Sequence, residues 1–399
     1  MNRSHVPFVL FVLICLAMVT YGYFRTSSSH IAIKSNTLPL ELIWTYKAEN
    51  PIKLTALSTS NVIAILDEKG TVKALNSQTG ALKWQYETGS KISNVSYSTP
   101  KWGIEGDRLI LAPDKENLLA LDAQTGEKIW QTRLSASTWN LPTISIQSDM
   151  ITVGEWDTNT NGYLAGYNLQ DGRLRWNVII NQPKSYRFLF KCPFIFTRSG
   201  RLENALCVLL SNDKMLIIDT RQQIENQGSG LLSTGYPPVN TLNTPVFQDG
   251  FIFTNPSLNP AIHVLDTLQE KQFMLPANCQ HGTVAHPVTT YNQRVLVANG
   301  CNEVYILDIH QLDQEPEWIF QSNEEIYSSF VTVNGQTGYF LNEKAEVIGV
   351  NLATGTYVGK LTLNSNQLKT GQFINYLVVF NNNLFLAINE YHLLAFEHS

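Results

Sequence analysis

One short phrase recurs at a fixed interval, and that interval constrains the fold more than any other feature of the chain. "ALNSQTGALKW" runs from Ala74 to Trp84 and "ALDAQTGEKIW" from Ala120 to Trp130. A looser copy, "GYNLQDGRLRW", runs from Gly166 to Trp176. The glycines (Gly80, Gly126, Gly172) and the tryptophans (Trp84, Trp130, Trp176) are each spaced 46 and 46. Self-similarity at a period of roughly 20–50 residues marks a repeat architecture. Each copy reads as strand, turn, strand. The glycine closes the hairpin because it alone takes positive φ without a steric cost. The tryptophan is large enough to pack on the neighbouring copy.

The third strand of each copy ends in an apolar residue followed by Asp or Asn. The pattern continues as Leu75-Asn76, Leu121-Asp122, Tyr167-Asn168, Ile218-Asp219, Leu265-Asp266, Leu307-Asp308 and Val350-Asn351, and it closes on Phe396-Glu397. Spacings of 46, 46, 51, 47, 42, 43 and 46 give eight copies. A second marker precedes it: Pro100, Pro142, Pro193, Pro245 and Pro287. Proline cannot donate to a sheet ladder, so each is expected to open a strand or to lie at a sheet edge. Four short antiparallel strands every 40 to 50 residues describe a propeller blade. The eighth copy stops before its tryptophan-bearing strand, whereas "ELIWTYKAE" (Glu41 to Glu49) stands alone ahead of the first. Pairing the two ends in one blade would remove the open seam of a ring. The expected fold is therefore all-β: an eight-bladed β-propeller of four-stranded antiparallel blades over residues 40–399, closed by the N-terminal strand.

Val6 to Phe24 is nearly all apolar, and its 19 residues approach the about 20 that a membrane helix needs. Residues 1–24 are read as a transmembrane anchor, with a cleavable signal segment as the rival reading. Cys15 follows Val12-Leu13-Ile14, which lacks the small residue a lipid-attachment site needs. Residues 25–39 are read as a linker. The expected location is the inner membrane, single-pass, with the propeller in the periplasm. Charged residues make up only 15% of the chain and the net charge is −5 with no basic block, so nucleic acid is not an expected partner. The remaining cysteines form two local pairs, and disulfides Cys192–Cys207 and Cys279–Cys301 are expected in an oxidising compartment. Free buried thiols are the alternative.

The motif Ala-Leu-Asp-x-x-Thr-Gly-x-x-x-Trp at 120–130 resembles the pyrroloquinoline-quinone-type propeller repeat. Eight copies behind a membrane-targeting segment resemble the BamB family, propeller subunits of the machinery that folds barrels into the bacterial outer membrane. That resemblance implies a non-catalytic scaffold whose partners are envelope proteins, with partner binding on loops that lead into the innermost strands of the middle blades. Quinone-dependent members of the repeat family are larger and carry adjacent cysteines and a calcium-binding set. This chain has no Cys-Cys pair, so no cofactor and no catalytic residues are expected. A quinone- or ligand-binding periplasmic enzyme and a surface sensor or adhesion domain are the alternatives.

"SYRFLFKCPF" (Ser185 to Phe194) lies in the connection from the third copy to the fourth. Tyr186, Arg187 and Phe188 are residue types enriched at binding hot spots and are the expected partner-binding residues. The competing reading buries Phe188 and Phe190 in an irregular blade. "DTNTNG" (Asp157 to Gly162) matches the first half of a calcium loop, but Asn168 stands where a bidentate glutamate belongs, so a polar hairpin turn is expected. Cys279, His281 and His286 have no familiar zinc spacing. No metal site is expected.

Overall fold

A computed structural model describes residues 33–56, 61–92, 102–135, 143–147, 149–156, 162–180, 186–197, 200–210, 215–219, 231–234, 246–248, 251–254, 261–265, 270–274, 289–298, 302–311, 314–324, 326–342, 344, 346–363, 376–380, 383–388 and 391–398. These residues form eight antiparallel sheets, seven of four strands and one of five. The apolar segment 1–24 lies outside the described residues. Among the described residues, no helix is long and apolar enough to cross a membrane.

The first sheet holds Ile52–Ala56, Val62–Asp67, Thr71–Asn76 and Leu82–Glu87 in chain order. The second holds Trp102–Glu105, Arg108–Leu111, Asn117–Asp122 and Lys128–Arg133. The next four sheets follow the same order, ending at Trp318–Gln321. The seventh contains Ile326–Asn334, Thr337–Asn342, Glu346–Asn351 and Tyr357–Leu363. The eighth draws on both ends of the chain: Tyr376–Phe380, Asn383–Ile388 and His392–His398 are joined by Leu40–Lys47. Leu40 pairs with His398 and Lys47 with His392.

Burial explains the strand composition. Every residue of Val62–Asp67 is buried, whereas Leu82–Glu87 alternates between exposed and half-buried positions. A middle strand covered on both faces reads as a continuous apolar run, and an outer strand does not. The covering comes from neighbouring sheets. Ala64, Leu66 and Val72 of the first sheet pack with Leu109, Leu111, Leu119 and Leu121 of the second. Ile63, Ile65 and Leu75, on the first sheet, pack with Leu393 and Ala395 of the eighth. The leading strands of successive sheets also lie beside one another, from Ile52–Ala56 round to Tyr376–Phe380.

The Asp/Asn marker has a local cause. Asn76 Oδ1 accepts from the amides of Gln78 (2.9 Å) and Thr79 (3.0 Å). Asp122 Oδ1 accepts from Gln124 and Thr125, both at 2.8 Å. Asn351 does the same for Ala353 (2.9 Å) and Thr354 (3.2 Å). A short side-chain oxygen at this position ties down the hairpin that follows it, a task Asp and Asn share. Burial pushes the Asp122 carboxyl up, but the Thr125 and Gln124 amides and the nearby Arg108 guanidinium hold it below its ordinary value.

One expectation is corrected. The linker assigned to 25–39 ends in structure: Ile33–Asn36 forms the fifth strand of the seventh sheet, antiparallel to Tyr357–Leu363. That outer strand offers a free row of donors and acceptors, and the N-terminal chain satisfies part of it on its way to the eighth sheet. Pro193 takes the second of its two expected placements, within Tyr186–Thr197 at one edge of the fourth sheet. An edge position leaves a prolyl nitrogen outside the ladder.

Candidate partner-binding site

The expected partner-binding residues begin a strand rather than lying in a loop. Tyr186–Thr197 is the twelve-residue leading strand of the fourth sheet, paired with Gly200–Leu210. Its apolar, aromatic composition carries β-structure back to Tyr186, which corrects the connecting-loop reading. Tyr186 pairs with Leu210 and Phe188 with Leu209, so Arg187 is the extra residue of a β-bulge. A bulge re-aims the side chains around it and ends regular pairing. The leading strand also lies beside the leading strands of the third and fifth sheets, Thr143–Gln147 and Val246–Gln248. The backbone thus groups Tyr186, Arg187 and Phe188 at one end of a strand in the inner series.

The same register bears on the cysteines. Cys192 pairs with Ala205, and Cys207 with Phe190, so the two cysteines are diagonal, two residues apart along the ladder. Diagonal positions lie about 7–8 Å apart along the backbone, whereas bridged cysteines hold their Cα atoms about 4.4–6.8 Å apart. A Cys192–Cys207 bond would require the strands to move from this register. Cys279 and Cys301 lie outside the described residues, as do His281 and His286. Residues 157–161 also lie outside them. They connect Trp156 and Gly162, which face each other across adjacent strands of the third sheet. Among the described residues, no three His, Cys, Asp or Glu side chains gather into a group that could hold a metal ion.

The described side chains show how neighbouring sheets are joined. A Cβ on Gly126 would sit 2.6 Å from the Trp84 ring, one on Gly172 2.6 Å from the Trp130 ring, and one on Gly80 2.6 Å from the Trp44 ring. Each tryptophan also donates its Nε1–H to a backbone carbonyl of the sheet it touches. Trp84 reaches Ala123 at 3.1 Å, Trp130 reaches Leu169 at 3.1 Å and Trp44 reaches Ser77 at 3.0 Å. Trp318 on the sixth sheet meets Gly355 of the seventh and donates to Leu352 at 3.0 Å. All four glycines have φ near +70° (Gly80 69°, Gly126 75°, Gly172 68°, Gly355 69°). The repeated glycine therefore closes its own hairpin and receives the preceding sheet's indole.

Trp176 departs from the rule. It packs on Gly166 of its own sheet, where a Cβ would lie 2.3 Å from the ring, and its Nε1–H donates to Met150 Sδ at 3.2 Å. The ladder partner is alanine for three of the other tryptophans, Ala74 opposite Trp84, Ala120 opposite Trp130 and Ala395 opposite Trp44, and Ile306 for Trp318. The replacement by Gly166 was the available sequence signal. Exposed apolar side chains recur on the outer strands as Ile43, Leu82, Ile129, Leu174, Ile319 and Tyr357. They come one per sheet and do not mark a patch.

These features define a β-propeller built from quinoprotein-type repeats. The family model described as outer membrane protein assembly factor BamB matches residues 41–267, more than half of the chain, and the chain belongs to that family. The outer membrane protein assembly factor BamB of Yersinia pestis is 28% identical over 203 residues, 47% of this chain and 47% of that protein. The chain thus matches about half the length of that relative. The BamB crystal structure from Moraxella catarrhalis has a TM-score of 0.60 at 15% identity, covering 90% of this chain and 97% of that one. The computationally designed protein Ika8 has a TM-score of 0.61 at 12% identity, covering 90% and 99%. Quinohemoprotein alcohol dehydrogenase from Comamonas testosteroni has a TM-score of 0.58 at 11% identity, covering 92% and 78%. At these identities the three structures share the fold alone.

Proposed function

We propose that this chain is a non-catalytic scaffold that binds another protein of the bacterial cell envelope and serves outer-membrane protein assembly. The observation that carries the reading is the family match over 41–267, a span that includes the bulge at Arg187. In this reading the eight sheets are the blades of one closed ring, with Leu40–Lys47 against His392–His398 as the closing pair. Tyr186, Arg187 and Phe188 anchor a partner from the barrel-assembly machinery. Residues 1–24 attach the chain to the inner membrane or direct its export, and the propeller works in the periplasm. The dehydrogenase with the same fold supports a second reading, a quinone- or ligand-binding envelope enzyme, because fold alone does not carry function.

Affinity capture from detergent-solubilised envelope tests the proposal. Barrel-assembly components are expected with the wild-type chain. Arg187→Glu should keep the melting temperature, since Arg187 is the extra residue of a bulge on an edge strand and a substitution that removes no buried partner costs under about 0.5 kcal/mol. It should reduce capture about thirtyfold, corresponding to loss of roughly 2 kcal/mol at a hot spot. A chain that captures none of these proteins and binds added quinone with a change in absorbance overturns the scaffold reading.

A further inference from the structure

We infer that the sheets are coupled unequally: one arc is locked by indole contacts and a backbone strap, and the fourth and fifth sheets form a compliant arc. This goes beyond the scaffold reading and does not depend on it. Four seams carry the lock directly. Trp44 joins the eighth sheet to the first, Trp84 the first to the second, Trp130 the second to the third, and Trp318 the sixth to the seventh. The indoles are buried (Trp44, Trp130) or half-buried (Trp84, Trp318), and each contributes apolar area and one oriented donor that resist separation and sliding.

The seam between the seventh and eighth sheets is held by another device. Gly359 occupies the ladder position that Trp84 holds in the first sheet, opposite Gly349 as Trp84 is opposite Ala74. The segment Thr37–Leu38 crosses there. Thr37 N donates to the Lys360 carbonyl at 2.8 Å, and Lys360 N donates to Thr37 Oγ1 at 2.9 Å. The segment then enters the eighth sheet as Leu40–Lys47. Five consecutive seams are thus secured.

At the other three the sequence lacks one or both residues of the lock. Trp176 stands eight residues after its marker, as Trp84 and Trp130 do, yet its indole is committed to Gly166 and Met150 in its own sheet. In the four hairpins that receive an indole, glycine stands four residues after the Asp/Asn marker. The fourth, fifth and sixth copies carry Gln223, Glu270 and Leu312 there, none of which takes positive φ cheaply. Eight residues after the marker, where Trp84 and Trp130 stand, the fourth and fifth copies carry Gln227 and Met274. Neither half of the lock is encoded at the seam between those two copies. The arc without it contains Tyr186–Thr197, the long leading strand of the fourth sheet; local opening is expected where such inter-sheet contacts are fewest.

Hydrogen exchange on the full-length chain in detergent micelles, read peptide by peptide, tests this. Amides of Tyr186–Thr197, Gly200–Leu210 and Ala261–Leu265 should exchange about tenfold or more faster than those of Val62–Asp67 and Asn117–Asp122. Trp84→Phe and, independently, Gly126→Ala should each speed exchange in the first and second sheets towards the faster rate. Trp176→Phe should leave exchange in the fourth sheet unchanged. Equal protection across all eight sheets, or faster exchange in the fourth sheet on Trp176→Phe, overturns the inference.

Discussion

The carbonyl oxygen of Thr37 lies 2.4 Å from the point where a Cβ on Gly359 would sit. An indole at this position would have no hairpin to receive it, because the third and fourth strands of the eighth sheet come from opposite ends of the chain. Gly359→Ala should therefore cost about 1–3 kcal/mol by overpacking against backbone that cannot turn aside. It should also make the chain near Ile33–Leu40 the first site of limited proteolysis. An unchanged melting temperature and cleavage pattern would show that the crossing is not tight.

Gly126 and Gly89 separate the two roles a turn glycine can have. Both have positive φ, 75° and 79°. A Cβ on Gly126 meets the Trp84 ring, whereas one on Gly89 meets nothing within 4 Å. Gly89→Ala should lose only the left-handed penalty, about 1 kcal/mol. Gly126→Ala should lose that and a further 1–3 kcal/mol or so from the displaced indole. Urea midpoints decide it, and equal shifts would mean that the indole contact contributes little.

His392 makes the pairing of Leu40–Lys47 with His392–His398 sensitive to pH. Both of its ring nitrogens are buried without a hydrogen-bond partner among the described residues. Burial, and then the Lys47 ammonium, holds its pKa below the ordinary 6.5. The unfolded chain then binds the proton more readily than the folded one. Stability from this group is full above 6.5 and is lost as pH falls below it. Glu346 acts in a lower window. Burial pushes its carboxyl up, but hydrogen bonds from Lys360, Asn342 and Thr362 outweigh that and hold it below 4.5. Its contribution is present above 4.5 and is lost only as pH falls through the lowered value. Melting temperatures should show two separable declines on acidification, the first removed by His392→Gln and the second by Glu346→Gln. A first decline that survives His392→Gln would assign it to another group.

The diagonal register of Cys192 and Cys207 predicts that both are alkylated in the unreduced, exported protein. Mass spectrometry of a 192–207 linked peptide would instead show that the two strands shift from this register when oxidised. Cys279 and Cys301, read as the second pair, are tested in the same sample.

The repeat was legible because its markers answer to local physics. Asn76, Asp122 and Asn351 are acceptors for their own turns, and Gly80 or Gly126 must both turn and make room. The strand Ile33–Asn36 was not legible. Its residues, Ile-Lys-Ser-Asn, show no apolar alternation, and their pairing depends on an open edge more than 300 positions away. The bulge at Arg187 was equally silent, since a ladder offset belongs to two strands and not to the residue that bears it. Trp176 reads like the other tryptophans within its own phrase. Its different contact is explained only by Gly166 opposite it and by the missing glycine in the next copy.

The pairing of Leu40 with His398 also sets a clock. Closing so long a loop adds little entropy, because that cost grows only with the logarithm of length, about 0.6 kcal/mol per doubling. Time is the larger burden. At about 5–20 residues per second, roughly 20–70 s separate the synthesis of Leu40–Lys47 from that of its partner. Through that interval Leu40–Lys47 lacks its ladder partner, and only the first sheet, which receives Trp44 at Gly80 and Ser77, is there to cover it. A nascent chain that stops short of His392 leaves this strand permanently bare, an open edge that proteases and chaperones can recognise. His392–His398 thus completes the sheet that holds Leu40–Lys47 only after the intervening sheets have been made.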